Sequence, residues 1–171
     1  MYRRKFSGVV AVLLWLLTPP AAASLRELPG AQLVGSGDLT WMGLNVYQAS
    51  LHAPEGRYQP HTPHALKLRY DRSFSRERMA QRSLQEIEQI FGKQQQPDEI
   101  VRKLASVFSD VAKGDHITGV HYPGEGAEFS GRQGLLGRLD DAELAAAFFA
   151  IWLSPKTSEP QLRSQMLGNG R

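Results

Sequence analysis

Apolar positions along the chain change period several times, and each change marks an expected element. From Gln32 to Gly37 and from Leu39 to His52 the pattern is that of extended chain. Gly37-Asp38 lies between the two runs and tolerates the positive φ of a tight turn, so a hairpin is expected there. In the second run Met42, Leu44 and Val46 would face one way, and Trp41, Tyr47, Ala49 and Leu51 the other. Apolar residues on both faces predict a strand covered on both sides. Pro54, Gly56, Pro60 and Pro63 make 53–63 a loop. Ala65 to Tyr70 alternates again, with Leu66, Leu68 and Tyr70 on one face and Lys67 and Arg69 on the other.

After Phe74 the period lengthens to that of a helix. Ser75 is the expected N-cap, Glu77 suits the first turn, and Met79, Ser83, Ile87, Ile90 and Phe91 follow at helical spacing up to Gly92. Pro97 opens a second helix, whose stripe of Ile100, Leu104, Val107, Phe108 and Val111 reads as core packing. His116 to Tyr122 is a strand that ends in the loop Pro123-Gly124-Glu125-Gly126. Ala127–Phe129 and Gln133–Leu139 form a hairpin turning at Ser130-Gly131-Arg132. Asp140 and Glu143 have the spacing of a capping box for a third helix, with Leu144, Ala147, Phe148, Ile151 and Trp152 buried and Pro155 at its close. A short helix from Pro160 to Leu167, with Ser158 as cap and Gly168 as stop, ends the pattern. Clustered strands with hairpin turns and grouped helices predict an α+β fold, an antiparallel sheet with helices packed on one face.

The first 23 residues belong to a different class. Arg3-Arg4-Lys5, the apolar run Val9–Leu17, Pro19-Pro20 and Ala21-Ala22-Ala23 have the layout of a secretory signal, with cleavage expected between Ala23 and Ser24. The run is about half of the roughly 20 apolar residues that a bilayer span takes. The expected product is a periplasmic or secreted chain of residues 24–171, one domain with no membrane span. Arg3-Arg4-Lys5-Phe6 also resembles a twin-arginine signal, and the sequence does not choose between the two export routes. Three of the 20 basic residues fall in the leader, which leaves 17 against 17 acidic ones. A neutral chain lacks the cationic surplus that binds nucleic acid, so that class is set aside. With no cysteine in the chain there is neither a lipobox nor a disulfide framework.

No constellation assigns a catalytic residue. His61 and His64 are three apart, but Pro63 between them blocks a helix, so they read as surface-loop histidines and no metal is expected. Asp115-His116 has no serine in a nucleophile turn to serve. Glu125 and Glu128 read as solvated carboxylates. His121-Tyr122, beside the Pro-Gly-Glu-Gly loop, is the most interesting polar and aromatic pair. No cofactor is implied.

Four stretches carry a resemblance: Trp41-Met42-Gly43-Leu44-Asn45-Val46-Tyr47 with Gln48-Ala49-Ser50-Leu51, Leu68-Arg69-Tyr70 with Phe74-Ser75, Lys113-Gly114-Asp115-His116-Ile117 with Tyr122-Pro123-Gly124-Glu125-Gly126, and Leu136–Asp141 through Phe148–Pro155 to Leu162-Arg163 and Leu167-Gly168. In this order they resemble the bacterial chalcone-isomerase-like exported proteins. The resemblance implies an open-faced β-sandwich, with a cleft between sheet and helices for a flat or elongated apolar ligand. In the plant isomerases of this fold, an arginine on the first strand polarises the ketone, helped by a threonine on the next strand and a tyrosine before the first helix. The fatty-acid-binding relatives hold a carboxylate with an equivalent arginine and a tyrosine. Here Ala31-Gln32-Leu33-Val34 carries no arginine, Met42 aligns with the threonine and Phe74 with the tyrosine.

A missing fixed cation removes what is usually the largest catalytic term. The expected function is therefore non-catalytic binding of a small hydrophobic or fatty-acid-like ligand. Candidate site residues are Trp41, Tyr47, Arg69, Tyr70, His121 and Tyr122. Two alternatives stay open: an isomerase or lyase acting on an enone, with Tyr47, Arg69 and Tyr122 as its polar groups, and an envelope protein-interaction module. A guanidinium beside a phenol hydroxyl in an accessible hollow would reverse the order of these readings.

Overall fold

The computed structural model describes residues 28–169. The expected leader and cleavage point fall outside the described residues. Six strands form one antiparallel sheet in sequence order: β1 (Ala31–Trp41), β2 (Leu44–Pro54), β3 (His64–Tyr70), β4 (His116–Tyr122), β5 (Gly126–Gly131) and β6 (Gly134–Leu139). Two helices, α1 (Arg76–Phe91) and α2 (Pro97–Ser106), stand between β3 and β4, and α3 (Ala142–Leu153) and α4 (Pro160–Met166) follow β6. The fold is α+β, with the helical layer on one face of the sheet, as the patterning predicts.

The first hairpin turns later than its glycines suggest. β1 runs straight through Gly37 and Asp38, which pair with Ala49 and Gln48 of β2. The turn is Met42-Gly43, with φ of 49° and 74°, the positive pair that a two-residue hairpin loop requires. Gly35 and Gly37 serve packing instead. A Cβ at Gly35 would collide with the carbonyl oxygen of Gln165, and one at Gly37 with the Gln165 side chain. Their missing side chains let α4 lie directly on the edge strand. Met42 therefore sits in a turn, not on a strand face.

Local caps form mostly where the sequence places them. Ser75 Oγ accepts from Arg78 N at 3.3 Å, and Gly92 closes α1 at φ 86°. The cap of α3 is Asp141, one residue beyond the expected Asp140. Asp141 Oδ1 accepts from Leu144 N and Oδ2 from Lys103 Nζ, both at 3.0 Å. The Leu144 amide and then the Lys103 ammonium hold this carboxyl below its usual range. Asp140 is left to pair with Arg138 at 2.6 Å. Ser158 does not cap α4; its hydroxyl donates to Glu86 Oε2 at 2.7 Å.

Between sheet and helices lies a continuous core whose fully buried members include Leu51, Ile87, Leu104, Phe129, Phe149 and Met166. α3 is its spine. Its sequence AELAAAFFAIWL is apolar on nearly every side, as expected of a helix enclosed by sheet and neighbouring helices. Val107, Phe108 and Val111 lie past the end of α2 yet remain buried, and Val111 bridges to Phe74. α3 and α4 rest on the strands, whereas α1 packs chiefly on α2 and α3. A gap is therefore left between α1 and the sheet.

Candidate functional site

The gap is an open cleft of about 940 Å³. Its floor comes from the inward faces of three neighbouring strands: Leu66, Leu68 and Tyr70 of β3, Ile117 and Gly119 of β4, and Phe129 of β5. The period of two along each strand puts these residues on one side. Met79, Arg82, Ser83 and Glu86 of α1 form the roof, and Phe148, Ile151 and Trp152 of α3 one wall. Leu39, Thr40, Trp41, Val46 and Tyr47 form the other wall, from the first hairpin. The volume falls in the range of small-molecule sites, and the lining is mostly apolar with a few polar groups, as such sites require.

Two phenols are among the polar groups that line the cleft. Trp152 Nε1 donates to Tyr47 Oη at 3.0 Å, so the Tyr47 hydroxyl keeps its own proton to donate. The rings of Tyr47 and Tyr70 meet edge to face with centroids 6.2 Å apart. Burial pushes Tyr47 up to about 12, opposed by the Trp152 hydrogen bond and assisted by the nearby Glu159 and Glu86 charges. Burial also raises Tyr70, with Tyr47 adding to the effect. Both remain neutral donors at any ordinary pH. Among the described residues, the Tyr70 hydroxyl has no hydrogen-bond partner. The pair can therefore offer hydrogen bonds to an acceptor oxygen but not a compensating charge.

The floor carries no lysine or arginine. Arg82 comes nearest to the guanidinium that would support catalysis, because its charge acts on Tyr47. It is paired with Glu86 one helical turn away, and its side chain is 67% exposed. An ion pair at the roof does not supply a free positive centre at the floor. Glu86 itself is buried and is held by both Arg82 and Ser158.

The residues singled out from sequence divide evenly. Trp41, Tyr47 and Tyr70 line the cleft. Arg69 belongs to the opposite face of β3, where its guanidinium pairs with Asp71 at 3.2 Å. His121 lies at the far end of the same core face, and Tyr122 faces away with the Arg138 guanidinium 6.0 Å above its ring. Tyr47, Arg69 and Tyr122 are thus not brought together. Glu128 points outward and pairs with Arg138 at 2.8 Å. Sequence reasoning missed Trp152 as a partner for Tyr47 and missed Arg72, Arg78 and Lys113 at the cleft margin. The contact between Trp152 and Tyr47 spans 105 residues and leaves no local signal.

His64 corrects an expectation outright. It is the first residue of β3 and only 1% exposed, not a surface-loop histidine. It lies opposite His121 in the sheet, with ring centroids 5.0 Å apart, and Phe149 stacks on His121 at 4.8 Å. His64 Nδ1 donates to Thr62 O at 2.9 Å. The remaining nitrogen of His64 and both of His121 are buried without partners among the described residues. Burial and then the His64 charge lower His121 to about 4, and burial lowers His64 as well. Both stay neutral near pH 7. Among the described residues there is no group of three or more His, Asp or Glu that would hold a metal ion.

A sequence model described as chalcone isomerase-like matches residues 30–168, nearly the whole described region. The chain belongs to the chalcone isomerase-like family. Its structure is similar to the crystal structure of a fatty-acid binding protein of Arabidopsis thaliana, with a TM-score of 0.62 over 83% of this chain and 89% of that one. At 13% identity this likeness shows the shared fold. No curated protein matches the sequence. Within the family's fold, β1 here carries no arginine, and Phe74, packed edge to face on Tyr70 at 6.0 Å, takes the place before the first helix.

Proposed function

We propose that this protein is exported and holds a small apolar or amphipathic, fatty-acid-like molecule in the cleft without transforming it. The observation that carries the reading is an accessible, largely apolar hollow of about 940 Å³ whose interior offers two neutral phenols and whose floor has no cation. Apolar walls favour a hydrocarbon chain roughly in proportion to the area buried. Tyr47 and Tyr70 add directional hydrogen bonds to one acceptor oxygen. The similar Arabidopsis structure, itself described as a fatty-acid binding protein, supports the ligand class. Export is supported by the signal-like layout of residues 3–23. A developing enolate at the floor would meet phenol donors and no cation, since Arg82 is paired with Glu86 at the roof and Arg72, Arg78 and Lys113 stand at the cleft margin, so the isomerase reading ranks second.

Displacement of a fluorescent fatty acid, checked by native mass spectrometry, tests the proposal. One ligand per chain is expected. Ser83→Phe would fill the cleft from its roof, because the Ser83 hydroxyl only bonds back to Met79 O at 2.9 Å and its removal strands no partner. That variant is expected to bind at least about tenfold more weakly, the loss of roughly two methylenes' worth of burial. Absence of any bound ligand, or cyclisation of a chalcone above the uncatalysed rate, would overturn the reading.

A further inference from the structure

The lip of the cleft carries two kinds of group that the fold does not use. The first is apolar: Trp41 is 67% exposed, Met42 79% and Leu44 47%, all at the tip of the β1–β2 hairpin. Met42 also holds a φ of 49°, a region that a bulky side chain rarely takes and that asparagine or glycine would occupy more easily. The second is cationic. Arg72, Arg78 and Lys113 line the cleft and, among the described residues, have no acidic partner, whereas Arg82 is paired with Glu86. Backbone ties bring the two sets together. Asp71 N donates to Val46 O at 3.0 Å, just past the hairpin tip, and Gly114 N donates to Tyr70 O at 2.7 Å.

We propose that this lip docks on the surface of an anionic lipid bilayer. Trp41, Met42 and Leu44 enter the head-group and acyl boundary, Arg72, Arg78 and Lys113 face the phosphates, and the cleft opens onto the membrane. An apolar wedge ringed by basic side chains is the chemistry that binds such surfaces. One turn is far smaller than the roughly 800 Å² per partner that a stable protein interface buries. Docking stands on the chemistry of the tip; transfer of a lipid-derived molecule into the cleft rests on the ligand reading above.

The test uses the protein in the form the cell makes it, mixed with vesicles of phosphatidylglycerol and phosphatidylcholine or of phosphatidylcholine alone. Cosedimentation with the anionic vesicles is expected, with a blue shift of tryptophan emission and release by salt. The double variant Met42→Asp/Leu44→Ser is expected to lose at least about tenfold in vesicle binding through lost apolar insertion. Asp accepts the left-handed backbone, so the turn survives. Met42 and Leu44 do not line the cleft, so displacement of a soluble fluorescent fatty acid should be unchanged in this variant. Reversing Arg72, Arg78 or Lys113 to Glu should cost at least about fivefold each on anionic vesicles. Failure of the wild type to sediment, or equal sedimentation of the double variant, overturns the proposal. So does crosslinking from position 42 that returns one stoichiometric protein while vesicles are ignored. Vesicle binding without fatty-acid binding would uphold docking and remove the ligand reading.

Discussion

The core face of the sheet is packed solid at one end and hollow at the other, although the same strands build both. On β3 the inward residues run His64, Leu66, Leu68, Tyr70, and on β4 the facing ones run His121, Gly119, Ile117. At the histidine end Phe149 stacks on His121 and reaches as far as Gly119, where an added Cβ would meet Phe149 Cζ at 3.1 Å. At the tyrosine end the facing element is α1, which is carried by α2 and α3 and stands off the sheet. Polar groups survive at both ends for different reasons. The histidines are neutral and enclosed, while the phenols border open space. Alternation along a strand decides which side chains face the helices; the helices decide whether those side chains pack or line a cavity.

The largest test of that contrast is Phe149→Ala. Phe149 is 2% exposed and touches His64, His121 and Phe148. Its truncation is expected to cost about 3–5 kcal/mol in urea unfolding, transfer plus cavity. Tyr70→Phe at the hollow end removes a hydroxyl with no partner among the described residues, and its cost should stay below about 1 kcal/mol. Equal losses at the two ends would show that the cleft closes in solution.

Acid should act on the filled end. The folded-state pKa of His121 lies near 4, below its ordinary value of 6.5, so the unfolded chain binds the proton more readily. Stability contributed by the neutral pair is then complete above pH 6.5 and declines as pH falls from 6.5 toward 4. The loss expected is on the order of 2 kcal/mol. Lys67 and Asp115 face the neighbouring His116, not this pair. His121→Phe should flatten the acid limb of the stability profile. An unchanged limb would place the acid sensitivity elsewhere.

Much of the fold was legible because its signals are local. β4 has the expected bounds, Ser75 and Gly92 cap α1, and Pro97 opens α2. Errors arose where a residue serves a distant partner. Gly37 looked like a turn but makes room for α4, and His64 looked like loop surface but sits under Phe149. The cleft was legible only in part. Tyr47 and Tyr70 could be placed on inward faces by alternation, and the same alternation puts Arg69, between inward Leu68 and Tyr70, on the other side. α3 is apolar all round, so no period in its sequence reveals that Trp152 turns toward Tyr47.

That contact gives a smaller, sharper test. Trp152→Phe keeps the ring and removes the donor to Tyr47, with an expected cost of about 1 kcal/mol. The Trp152 hydrogen bond is one of the influences holding Tyr47 down, so its phenol should titrate still higher in the variant, read from phenolate absorbance. A fall would mean that water enters behind Tyr47 and relieves its burial.

The smallest effect belongs to the lip of the hollow end, where stability and use should oppose each other. Met42 at φ 49° bears a conformation that costs an ordinary L-residue about 1 kcal/mol or more. Asparagine bears it more easily, so Met42→Asn is expected to raise the unfolding free energy by up to about 1 kcal/mol. The same change removes a side chain that is 79% exposed and therefore contributes little to the folded core. Folding alone gives no reason to keep methionine at this turn. If Met42→Asn stabilises the chain and weakens its hold on anionic vesicles together, the strain at the lip is retained for contact outside the molecule. If it stabilises the chain and leaves vesicle binding intact, the hollow end differs from the filled one in packing only.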